Sequence, residues 1–193
     1  MSTLKATNLS HASAASPNIV LDSAGKTTFG GAVVGAGMDL ITTAAITTSS
    51  NSVNNCFTAT YTNYKIVAFM TTGATSSFSF RLRVGGVDTS GSSYNYQRTQ
   101  TGGTTMTATR TTAAAEWLAS SPVAGINYFE WTIYRPAVAA TTAAILYMGR
   151  EVSATIDSDF YALGHNAATA FDGFTFGYGS TATGSLSVYG LKI

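Results

Sequence analysis

The chain has 193 residues, of which 45% are hydrophobic and 10% charged, where an ordinary soluble domain has roughly a quarter charged residues. Serine and threonine number 52, with 19 glycines and 3 prolines. That balance excludes a disordered chain, which needs low hydrophobicity and high net charge, and a helical bundle, because Thr and Gly are poor helix formers while Thr, Tyr, Phe and Val suit strands.

A formal net charge of +1 gives no basic footprint for nucleic acid or an anionic membrane. A lone cysteine, Cys56, excludes an internal disulfide framework and a cysteine zinc site. Residues 1–25 lack the apolar core of a signal peptide, being interrupted by Asn8, Ser10, His11, Ser13, Ser16, Asn18 and Asp22. The best spanning candidate, residues 29–46, contains Asp39, Thr42 and Thr43 and falls short of the ~20 apolar residues a helix needs, so membrane insertion is not expected. The expectation is a protein made in a cytoplasm that leaves by a route other than secretion.

In chain order, residues 18–22 read as a short strand entering a turn at 23–26, and Thr27-Thr28-Phe29 as a short return strand. Residues 30–37 are small and apolar, and 42–54 are mostly Thr, Ser, Ala and Asn. So few large apolar side chains cannot bury a core alone. Residues 1–50 are therefore expected to form an extended segment ordered by contact with other chains.

From residue 51 strands recur with turn punctuation. Residues 64–70 form a continuous apolar run, expected of a strand covered on both faces. Residues 77–84 alternate, with Phe78, Phe80, Leu82 and Val84 against Ser77, Ser79, Arg81 and Arg83, until Gly85-Gly86 ends them. Residues 88–93 read as a loop, 94–98 as a strand, 104–110 as a weak edge strand and 113–118 as the one plausible helical turn. Residues 126–134 place Phe129, Trp131 and Ile133 opposite Tyr128, Glu130, Thr132 and Tyr134, and Pro136 stops the ladder. Further strands are expected at 144–148, 153–156, 174–178 and 185–193. The fold expected is all-β: an antiparallel β-sandwich of jelly-roll type over 51–193, preceded by the short extended N-terminal assembly segment, 1–50. An immunoglobulin sandwich is disfavoured because no Cys…Trp…Cys spacing exists and the length suits eight strands with long loops.

Candidate chemistry is sparse. His11 lies in the leader and reads as a solvated polar residue. His165 sits among Asp157, Asp159, Asn166 and Asp172, a set that hard cations could use. Its spacing does not match a calcium-binding EF-hand loop, so it is read as a polar loop at the rim, with no metal and no cofactor expected. No Gly-x-Ser-x-Gly elbow, Gly-x-Gly-x-x-Gly loop or glycosidase-like carboxylate pair stands out, and no catalytic residue is assigned. Tyr94, Asn95, Tyr96 and Arg98 offer flat faces and hydrogen-bonding groups of the kind a sugar surface needs, and with the loop around His165 they are the candidate ligand-binding residues. Packing against a sister subunit or the rim is the competing reading for the two tyrosines. Surfaces covered by identical copies shed charge, because a buried unpaired charge costs several kcal/mol. The low charge thus marks a piece of an assembly.

Residues 64–67 (YKIV), 82–91 (LRVGGVDTSG), 94–97 (YNYQ), 171–174 (FDGF) and 184–190 (GSLSVYG), with the opening 2–9 and 16–22, resemble the C-terminal module and start of virion proteins of tailed bacteriophages, especially marine and cyanobacterial ones. The resemblance implies a non-enzymatic virion component, of tail-fibre or minor structural type, usually homotrimeric and assembled in the host cytoplasm. It carries over no catalytic or ligand residue. The expected partners are further copies of the chain, other virion proteins through residues 1–50 and host surface glycans. The expected role is a short tail fibre or tail-associated protein, with a capsid decoration (cement) protein as the alternative.

Overall fold

The computed structural model describes residues 8–9, 19–21, 23–24, 27–29, 37–119, 124–152 and 155–191. The chain divides into two compact units, residues 1–36 and 37–193. The first holds a small antiparallel sheet in which β2 (Ile19–Leu21) lies between β1 (Asn8–Leu9) and β3 (Thr27–Phe29). The strand and return strand expected around Ser23-Ala24 are therefore paired, with Ile19 opposite Phe29 and Leu21 opposite Thr27. His11 and residues 30–36 lie outside the described residues.

The second unit is built from β4 (Met38–Ile46), β5 (Ser50–Val53), β6 (Asn63–Thr72), β7 (Phe78–Val84), β8 (Val87–Asp88), β9 (Tyr94–Gly102), β10 (Thr105–Ala114), β11 (Trp117–Ala119), β12 (Gly125–Tyr134), β13 (Ala140–Val152), β14 (Thr155–Thr169), β15 (Gly173–Tyr178) and β16 (Ala182–Leu191). Among the described residues there is no helix.

The pairing is that of a jelly roll. β4 pairs with β16, β5 with β15, β6 with β12 and β7 with β11, outermost strands together and innermost together. Contacts of β16 with β6 and β15 with β7 close these pairs into two antiparallel sheets. Two insertions then widen one sheet only. The hairpin β13–β14 continues from β12, and β9 and β10 add beyond β14, giving the order β10-β9-β14-β13-β12-β6-β16-β4 against β11-β7-β15-β5.

The roll begins earlier than the expected boundary at residue 50. Residues 38–46 carry few large side chains, but one face of β4 needs only Ile41 and Ile46 to meet the core, Ile46 being fully buried. Their Thr/Ala-rich remainder suits an edge strand hydrogen-bonded to β16.

Alternation places one face of every central strand inside. Trp131 of β12 sits at the centre, with ring centroids 4.5 Å from Phe80, 5.4 Å from Phe174 and 5.7 Å from Trp117. Phe78 packs 5.2 Å from Phe129 and 5.8 Å from Tyr178. Gly85 and Gly86, at φ 58° and 77°, form the two-residue turn that sets Val84 opposite Val87, a left-handed pair that residues with side chains rarely supply.

Three local expectations are corrected. The helical turn over 113–118 is instead a β-bulge at Ala113 (φ 56°), after which the chain crosses to the small sheet as β11. Burial of Trp117, whose indole N–H donates to the Gly164 carbonyl at 3.0 Å, draws it there. The polar stretch around His165 is no rim loop but part of β14, whose Asp157, Asp159, Tyr161, Leu163 and His165 all face inward. Finally, β6 is covered on one face only in this chain, since Val67 and Phe69 remain 42% and 52% exposed.

Candidate functional site

The alternation of β9 splits the expected ligand residues. Tyr94 is fully buried. Its ring stands edge-on to Trp117 at 5.2 Å and to His165 at 4.6 Å, and its hydroxyl accepts the Leu82 N–H at 2.9 Å beside Thr89 Oγ1. Burial pushes the phenol above its ordinary value. His165 is also interior, wedged between Tyr94 and Phe171. Neither can meet a ligand, because the strand order brings them under Trp117 rather than to the rim.

Arg98 likewise points inward, 3.8 Å from Asp159 and over the Tyr161 ring. Asn95 and Tyr96 do line an open depression of about 390 Å³, together with Gln97, Arg110 and Asn166, although Tyr96 shares the inward side of β9 with Tyr94 and packs partly against the core. Asn95 is partly engaged there, accepting the Ala113 N–H at 3.1 Å.

Asp159 centres a buried ionic cluster. Its carboxylate lies 3.0 Å from Arg150, and Tyr161 donates to it at 3.4 Å, while Arg150 reaches Asp157 at 3.4 Å. The acidic set around His165 is thus dispersed: two aspartates hold arginines, Asp172 accepts the Gly85 N–H at 2.6 Å, and His165 packs against rings. Cys56 is buried, and burial pushes its thiol up to about 12, so it stays protonated.

His165 gives a pH signature. Burial lowers its imidazole from the ordinary 6.5, with a hydrogen bond to the Ala167 backbone partly offsetting the shift. Below about 6.5 the unfolded chain takes up a proton that the folded chain resists, so stability falls as pH drops through that window and is unaffected by this group above it. In urea unfolding at about pH 7.5 and about pH 5.5, His165→Phe should lose less stability between the two than wild type. Equal losses would contradict the assignment.

The two outer faces of the roll differ. That of the small sheet is largely polar, and its charges are paired. Arg83 donates to Asn54 Oδ1 at 2.8 Å and Ser52 Oγ at 2.9 Å and pairs with Asp88, and Arg81 pairs with Glu116 at 3.1 Å. Such a face is at home in water.

The outer face of the large sheet is apolar. Register sets Tyr128 opposite Phe69, and Tyr147 opposite Phe160 with centroids 5.0 Å apart. Exposures are 52% for Phe69, 44% for Tyr128, 56% for Tyr147 and 36% for Phe160. Gly149 lies opposite Tyr128 and lets the ring fold over it, since a Cβ there would be 2.3 Å from the Tyr128 Cζ. Between the rings runs a groove of about 560 Å³, whose lining includes Val67, Met106 and Glu130. Glu130 is held by Lys65 at 2.8 Å, and Thr101 and Ser158 bond each other at 2.8 Å. The polar margin is therefore already satisfied, and what the face supplies is contact area.

The sequence places Tyr128 on one face of its strand but does not show that Phe69, Tyr147 and Phe160 from other strands join it. Alternation of Ile156, Ser158, Phe160 and Ala162 was the available signal, obscured by aspartates on the inward face. Among the described residues no helix is long and apolar enough to cross a membrane. In comparisons with known proteins, no family model, no curated protein and no solved structure matches the chain.

Proposed function

We propose that the chain is a non-enzymatic structural protein of a tailed-bacteriophage virion, a short tail fibre or tail-associated protein that works as a homotrimer. The observation that carries this reading is the contrast between the two outer faces: one largely polar with its charges paired, the other broad, aromatic and nearly uncharged. A face of that kind suits a protein that lives covered by others. The resemblance of its strand and turn segments to virion proteins supplies the kind of assembly.

The attachment role expected for residues 1–50 passes to residues 1–36, because 38–53 contribute β4 and β5 to the roll. A host-glycan role for the expected residues narrows to Asn95 and Tyr96, which line the open depression.

The test is fractionation of a lysate of the phage that encodes the chain. The chain should band with density-gradient-purified particles and resist a salt wash, as an apolar contact does. Recovery only in the soluble fraction would overturn the reading.

A further inference from the structure

We infer that the outer face of the large sheet is buried against other copies of this same chain, with the groove between Tyr128, Tyr147 and Phe160 as its centre. This deepens the proposed function and rests on its assembly part, not on its virion part.

Area is the first support. At the exposures given above, the four rings Phe69, Tyr128, Tyr147 and Phe160 present on the order of 400 Å² of apolar surface. Ile126, Ile156, Met106 and Val67, at 38%, 70%, 69% and 42% exposure, occupy the same face. Together the eight raise the apolar surface to about 800 Å², which is one partner's share of a standard interface. A monomer's largest apolar patch is about 300–600 Å².

Charge is the second. Among the described residues this face carries two cations, Lys65 and Arg110, and two anions, Glu130 and Glu151. Lys65 and Glu130 already neutralise one another. The face thus has no net charge to select an acidic or basic partner, and it meets no repulsion from an identical face. An anionic membrane or a nucleic acid would call for a basic surface, which a face of zero net charge lacks. Packing of one sheet face on another is also a standard way to cover such a surface, with inner side chains interdigitating across ~10 Å.

The test uses the full chain and light scattering coupled to size exclusion at about 0.1 mM, where a micromolar Kd is saturated. Wild type should run at two or more times the 20.0 kDa chain mass. Tyr147→Glu and Phe69→Lys change exposed side chains, so each should keep the wild-type circular dichroism while the mass falls to that of one chain. Val87→Glu is the control: Val87 is 69% exposed but belongs to the small sheet, and this variant should stay assembled.

A monomeric wild type would overturn the inference, and so would a mass unchanged in both Tyr147→Glu and Phe69→Lys. A monomer that instead floats with phosphatidylcholine vesicles would overturn it in favour of a lipid surface. The virion reading fails separately: an oligomer in solution that is missing from particles sinks that reading alone, and a monomer found in particles sinks this interface and the homotrimer while leaving the virion assignment standing.

Discussion

Replacing Asp159 by alanine is expected to cost about 3–5 kcal/mol, the penalty for removing one partner of a buried ion pair. The Asp159 side chain is 0% exposed and the Arg150 side chain 4%, so the guanidinium left behind cannot be rehydrated without opening the sheet. Arg150 would retain Asp157 at 3.4 Å, but that carboxylate is the more exposed of the two. The cluster also fixes register. Arg150 stands opposite Asp157 and Met148 opposite Asp159, and a one-residue slip of β14 would turn both aspartates to the outer face. Urea unfolding reads the loss, which corresponds to a drop in Tm of roughly 6–20 °C for a chain of this size. Asp157→Ala, at a position still partly open to water, should lose clearly less. An Asp159→Ala protein within about 0.5 kcal/mol of wild type, the range of ordinary surface changes, would contradict the account of this cluster.

Trp131→Ala should be comparably severe, again about 3–5 kcal/mol, through a cavity at the point where both sheets meet. The indole is 0% exposed and touches rings from β7, β11 and β15, so no single neighbour can move in to fill the space. Its Nε1 is buried without a hydrogen-bond partner. Trp131→Phe removes that unsatisfied donor while keeping most of the ring contact, and its cost should be well under that of alanine. Thermal unfolding of the two variants side by side checks the ordering; equal losses would mean that ring volume is not what holds the sheets together.

Much of the roll was legible because its central strands bury one face against a second sheet. Phe78, Phe80 and Leu82, or Phe129, Trp131 and Ile133, show that period directly. β4 was not legible: at the sheet edge, Thr and Ala suffice, and its place is set by hydrogen bonds to β16 rather than by its own side chains. β14 was hidden for the opposite reason. Its inward positions include Asp157 and Asp159, whose burial makes sense only with Arg150 and Arg98, which lie on other strands. Two of the ligand candidates lie in the interior for the same reason. Tyr94 and His165 look polar in sequence, but register places them together beneath Trp117. The aromatic outer face is a property of sheet order, since Phe69, Tyr128, Tyr147 and Phe160 come from four strands.

Copy number per particle, from quantitative mass spectrometry of purified virions, decides between tail and head. The chain should be present at tens of copies or fewer, as befits a tail component. Hundreds of copies would move it to the head as a decoration protein and remove the host-recognition role. Absence from the particles would contradict the account.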